Sequence, residues 1–170
     1  MKYLTFIAVL FGLFGCATCE WSNMKSDSPK GGYVAIIEEV ERHVGIPRDL
    51  SIKKKIDMSQ IFSMPVERNA TAIWSPDEST VAILDDYASN ENRVIAVGLP
   101  DGKRLVEACR SNLVKYDSKF DGTKYSHVYF HNLQWKKGGL LADVYMYDRL
   151  TESVPTSCHR NIEIRCSEKE

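Results

Sequence analysis

His127 and His131, four residues apart in His-Val-Tyr-Phe-His, are the clearest hint of metal chemistry in this 170-residue sequence. A zinc site takes three or four ligands, so His159 or Asp143 would have to complete the set. The intervening Val, Tyr and Phe read as a strand, which holds the two rings about 13 Å apart, too far to share one ion. Two histidines on a polar sheet face are the simpler reading, and neither a metal nor a cofactor is expected. Cys109 with a histidine base would make a thiol nucleophile. Asp85, Asp86 and Asp148 could supply paired carboxylates for acid–base work or hold Ca²⁺, yet no EF-hand loop surrounds them. Ser75 lacks the Gly-x-Ser-x-Gly setting of a hydrolase nucleophile, and no glycine-rich loop is present to cradle phosphate. With no complete catalytic set, the chain reads as a non-enzyme.

The aromatic residues point elsewhere. Tyr125, Tyr129, Tyr145 and Tyr147 fall in or beside the late strands, where alternate residues share a face. Tyrosine is favoured at protein interfaces because it offers a large contact area at low entropic cost. These four are the candidate protein-binding residues; the competing reading is that the rings only cover the sheet.

The first residues say where such binding would take place. Met1-Lys2 precedes an apolar run from Tyr3 to Phe14, shorter than the roughly 20 residues that span a bilayer. A basic start, a short apolar run and small residues before a cut form a secretory signal. Leu13-Phe14-Gly15-Cys16 resembles the lipobox of bacterial lipoproteins, departing from it at Phe14. The resemblance implies acylation of Cys16 and an outer-membrane lipoprotein on the periplasmic side of the envelope. An ordinary cut after Ala17 is the alternative.

Export also bears on the five cysteines. Either cut leaves Cys19, Cys109, Cys158 and Cys166, and four cysteines allow three pairings in an oxidising compartment. Cys158 with Cys166, and Cys19 with Cys109, is one arrangement; Cys109 with Cys158 or Cys166 is as serious. A disulfide role for Cys109 outweighs a catalytic one.

Positioning these residues falls to one domain of ordinary size. With 22 basic and 23 acidic residues, and no sustained basic block, nothing points to nucleic acid. The polar stretch up to Gly32 reads as a tether. The division expected is a signal peptide over 1–15, a lipidated tether over 16–32 and a single β-rich domain over 33–170. Tyr33, Val34, Ile36, Ile37, Val40 and Val44 recur at helical spacing, which predicts a helix over 33–44. A strand is expected within 50–56, and a short turn of helix from Asp57 to about Phe62, closed by Pro65. Beyond residue 69 the pattern is antiparallel: strands over 71–74, 80–84, 93–97, 126–133, 140–147 and 161–166, with 105–114 either strand or short helix.

Two segments look alike. Trp74-Ser75-Pro76-Asp77-Glu78 and Trp135-Lys136-Lys137-Gly138-Gly139 each place a Trp at a strand end, followed by a polar turn and an apolar strand. The first resembles the Trp-Ser-Pro-Asp-Gly blade motif of TolB-like and WD40-like propellers, with Glu78 where Gly is usual. Arg93-Val94-Ile95-Ala96-Val97 followed by Leu99-Pro100-Asp101-Gly102-Lys103 also resembles the later strands of such a blade. A closed propeller needs four or more blades, more than this chain can supply. The fold class expected is mostly β (α+β): an open twisted antiparallel sheet or two packed blade-like sheets with one N-terminal helix.

The function expected is that of an exported, lipid-anchored envelope protein acting by protein–protein binding, with an inhibitor or immunity protein against a secreted toxin as the narrower form. Its partners would be another protein and, through the lipid on Cys16, the membrane. A structural or assembly component of an envelope complex is the alternative, and a periplasmic hydrolase is least favoured.

Overall fold

The computed structural model describes residues 25–39, 48–118, 121–137, 139–147 and 158–166, the first four of the last segment by backbone alone. These residues form three open antiparallel sheets, none closed into a barrel or propeller. The first holds β1 (Lys25–Asp27), β2 (Tyr33–Glu39), β3 (Arg48–Lys54) and β4 (Gln60–Val66). The second holds β5 (Ala70–Trp74), β6 (Thr80–Asp85), β7 (Arg93–Gly98) and β8 (Arg104–Ala108). The third holds β9 (His127–Lys136), β10 (Gly139–Tyr147) and β11 (Cys158–Ile164). In every sheet the strands lie side by side in chain order.

The middle sheet is covered on both faces. Val81, Ile83, Ile95 and Val97 share a core with Ala35, Ile37, Leu50, Ile52, Met64 and Val66 of the first sheet. Ala82, Val94 and Ala108 share another with Val128, Phe130, Leu140, Val144, Met146, Ile162 and Ile164 of the third. This is why β6 and β7 read as continuous apolar runs rather than alternating ones. β9 to β11 are buried on one face only, and they do alternate.

Three expectations are corrected. Residues 33–39 are strand β2, not the start of an N-terminal helix, and residues 40–44 lie outside the described residues. Val34, Ala35 and Ile37 are all buried. Burial on both sides of the strand removes the two-residue period, and what remains mimics helical spacing. Residues 57–62 form a turn and the start of β4. The Asp57 carboxylate accepts from Ser59 N and Oγ at 2.9 and 2.7 Å, which fixes a turn in place of a helix cap. Pro65 is tolerated because β4 is an edge strand. Residues 25–32, expected as the end of a tether, are instead β1 and the turn after it, part of the first sheet. The segment 105–114, open between strand and helix, is both: it begins in β8 and ends in a 3-10 turn, Arg110–Lys115.

That β1–β2 turn repeats the β5–β6 turn. Ser28-Pro29-Lys30-Gly31-Gly32-Tyr33-Val34-Ala35-Ile36 aligns with Ser75-Pro76-Asp77-Glu78-Ser79-Thr80-Val81-Ala82-Ile83. In each, the serine N–H donates to the carbonyl five residues on, at 3.0 Å for Ser28 and 2.9 Å for Ser75. Each serine hydroxyl accepts from the N–H of that same residue, at 2.9 and 3.0 Å. Gly31 and Glu78 hold the same left-handed position, with φ of 78° and 62°. Asp77 locks the second turn by accepting from Ser75 Oγ, Ser79 N and Ser79 Oγ at 2.7, 3.0 and 2.9 Å.

Glu78 joins the two turns. Its carboxylate accepts from Lys30 N, and the Ser28 hydroxyl and the N–H groups of Lys30, Gly32 and Gly31 hold its pKa below the usual value. Lys30 Nζ returns a bond to the Asp77 carbonyl at 3.1 Å. Tryptophans make a second set of links. Trp74 Nε1 donates to Ser26 Oγ of the first sheet at 3.0 Å, and Trp135 Nε1 to the Ile73 carbonyl of the second at 2.9 Å.

Two outcomes follow from the turns. Glu78→Gly relieves the left-handed strain but loses the grip on the first turn, whereas Glu78→Ala loses the grip and keeps the strain. Thermal unfolding should therefore rank wild type, then Glu78→Gly, then Glu78→Ala, and an Ala variant as stable as wild type would contradict it. The hydrogen bonds from Ser75 and Ser79 pull the Asp77 pKa from 3.8 to about 2. A depressed folded-state value means the stability Asp77 supplies is complete above pH 3.8 and is lost as pH falls towards 2. Chemical denaturation across that window should show a shallower acid-side slope in Asp77→Asn.

Candidate functional site

The outer face of the third sheet carries the densest cluster of chemically capable side chains. Antiparallel register sets Tyr145 opposite Tyr129, Tyr147 opposite His127 and Asp143 opposite His131. The rings interlock. His127 stacks on Tyr147 with centroids 4.4 Å apart and planes 8° apart, and Tyr129 lies 6.2 Å from Tyr147. His131 meets Tyr145 edge-on at 5.3 Å. Such pairs contribute about 0.5–1.5 kcal/mol each beyond burial, so the rings are held in place before any ligand arrives. Tyr145 is 39 % exposed, His131 is exposed, Tyr129 and Tyr147 are half-buried and His127 is buried. The face therefore grades from a packed base at His127 to an open end at His131 and Tyr145.

The β6–β7 loop supports this face. Asn92, buried, uses its side-chain amide as a substitute strand. Its Oδ1 accepts from Phe130 N at 2.6 Å and its Nδ2 donates to the Phe130 carbonyl at 3.2 Å. Val128 N donates to the Asn90 carbonyl at 3.0 Å, and Asn92 N donates to the Val128 carbonyl at 3.3 Å. Tyr129 Oη donates to the Ser89 carbonyl at 2.6 Å, which fixes the ring over the loop. Ser126 Oγ sits 2.8 Å from His127 Nδ1. At the open end Asn132, at φ 50°, sits in a bulge of β9 and donates to Asp143 Oδ2 at 2.9 Å.

Three of the four tyrosines expected at a binding surface, Tyr129, Tyr145 and Tyr147, come together here. Tyr125 does not: it precedes β9 and packs against the core between the second and third sheets. The histidines stand two positions apart along one strand face, with Tyr129 between them, and no cluster of metal ligands occurs among the described residues.

The other candidates disperse. Asp85 is fully buried and its Oδ2 accepts from Arg93 Nε at 2.9 Å. Burial dominates and raises its pKa, and its Oδ1 has no hydrogen-bond partner among the described residues. Arg93 also pairs with Glu107 at 3.2 Å and lies over the Tyr87 ring at 4.8 Å. Asp86 accepts instead from Asn92 Nδ2 at 3.0 Å. These neighbours serve separate structural bonds, and Asp148 lies outside the described residues. Ser75 is committed to its turn.

Cys109 and Cys166 are free thiols in this structure, so the pairing between them is not formed. Cys109 Sγ lies 3.3 Å from Ser111 Oγ. Burial pushes the Cys166 thiol up to about 11, which makes it a poor nucleophile. Cys16 and Cys19 lie outside the described residues, and Cys158 is described by its backbone alone.

Asn92 is the residue that sequence reading missed. In a polar loop one asparagine looks like any other, and only its distant contact with Phe130 sets it apart. Asn92→Ala leaves a buried N–H and carbonyl of Phe130 unpaired, at a cost of about 2–4 kcal/mol. Urea unfolding should show this loss, and a change within about 0.5 kcal/mol, the range of a neutral surface site, would contradict the assigned role. The sequence matches no protein-family model and no curated protein.

Proposed function

We propose that this chain is an exported, lipid-anchored protein of the bacterial cell envelope that acts by binding another protein through the outer face of its third sheet. One observation carries the reading: Tyr129, Tyr145 and Tyr147 converge with His127 and His131 in an interlocked cluster with an open end. Rings already fixed by their neighbours lose little freedom on docking, the condition under which aromatic contacts yield most affinity. The leader and the Leu13-Phe14-Gly15-Cys16 pattern support the location and the anchor. An inhibitor or immunity protein against a secreted toxin is the narrower form of the proposal. The alternative is an assembly component of an envelope complex. It draws on the open end of the stack, where no described sheet covers the third sheet's outer face.

The experiment is a pull-down of the full chain from envelope extracts, with mass-spectrometric identification of what it captures. Tyr145→Ala with Tyr147→Ala should reduce capture of a specific partner by about tenfold or more, as expected when interface anchors are truncated. Retention of the partner by that variant, with folding intact by circular dichroism, would remove this face from the proposal. A secreted toxin as the captured protein separates the inhibitor form from the assembly form. Cys16→Ser should move the chain from the membrane to the soluble fraction.

A further inference from the structure

The wedge between the first and second sheets is spanned by a carboxylate: Glu78 of the β5–β6 turn reaches the N–H groups of the β1–β2 turn. Among the described residues, the corresponding wedge between the second and third sheets has no such carboxylate. Its third-sheet side is the β9–β10 hairpin, which is shorter. Lys136 already pairs with Gly139, whereas the β5–β6 turn runs from Ser75 to Thr80 before pairing resumes. Beside the Trp135 bridge to the second sheet lies a cleft of about 580 Å³. Its walls include the Ser75–Thr80 turn, Trp135, Lys136, Lys137 and Cys166.

The charges in this cleft favour an anion. Lys136 and Lys137 are exposed, and neither has an ion-pair partner among the described residues. Asp77 on the opposite wall is ionised, its Oδ1 held by Ser75 and Ser79, and the two lysine ammonium groups outnumber it. Trp135 is fixed by its bond to the Ile73 carbonyl and lines the cleft together with the two lysines.

We propose that this cleft receives a carboxylate side chain from an acidic segment of a partner protein, seated between Lys136 and Lys137. It would bridge the second wedge with a carboxylate, as Glu78 bridges the first. The proposal rests on the reading that the chain works by binding a protein, and it places a second contact away from the tyrosine face.

The probe is fluorescein-labelled tetraglutamate, titrated against the full chain by fluorescence anisotropy and then coupled with a carbodiimide. The coupling joins a carboxylate to an amine as an amide with loss of water, the carbodiimide becoming its urea. Peptide mapping should place the crosslink on Lys136 or Lys137. Affinity should fall about tenfold for Lys136→Gln and again for Lys137→Gln, the change expected when a charged hydrogen bond is lost. Tyr145→Ala with Tyr147→Ala should leave this titration unchanged, so failure of the tyrosine face and failure of the cleft are read separately. Crosslinks spread over other lysines would overturn the proposal. So would equal binding of tetraglutamine, equal displacement by inorganic phosphate, or full affinity in the double glutamine variant.

Discussion

The second sheet has no solvent face, and the rest of the molecule is arranged around that constraint. A sheet buried on both sides can offer only apolar side chains in its central strands, and β6 and β7 comply from Val81 to Ile83 and from Val94 to Val97. At about 25 cal/mol per Å² of apolar surface, these two cores dominate the driving force for folding. Polar groups at the ends of this sheet must therefore be handled individually. At one end the turn residues satisfy one another around Asp77. At the other, Asp85 is drawn into the interior and neutralised by Arg93.

The turns also set how the sheets meet. A left-handed residue is needed after Ser-Pro-x, and glycine takes that position at Gly31 without strain. Glu78 accepts the unfavourable backbone because its side chain has a destination across the wedge. The departure from the usual Trp-Ser-Pro-Asp-Gly pattern is thus a structural device, in which a side chain does what backbone freedom alone could not. Trp74 and Trp135 act in the same direction, each reaching back to the first strand of the preceding sheet.

The sequence made some of this legible and hid the rest for identifiable reasons. The later strands declared themselves because β9 to β11 have one wet face and alternate, which also brought Tyr129, Tyr145 and Tyr147 onto a common side in advance. The same alternation misplaced Tyr125, since the two-residue rule holds only inside a ladder and Tyr125 lies before one. Strand β2 was hidden by its own burial, which made an apolar run look helical. The copy of the turn at Ser28 was hidden by composition: serine, proline, lysine and two glycines resemble a linker until the hydrogen bonds are seen. Asn92 and Glu78 act over 38 and 48 residues of separation, and no local pattern encodes such reach.

Because every sheet is made of consecutive strands, cooperativity in this molecule runs along a line. The second sheet has two neighbours; the third has one among the described residues, and it carries the aromatic face. In arrays of this kind, stability is close to a sum of unit and interface contributions, so the end unit opens at lower free energy than the middle one. A protein seated on the third sheet would supply the interface that the end unit lacks. Binding there would transmit itself as protection against local opening, with the amides of β9 and β10 slowing their exchange with solvent more than those of β6 and β7.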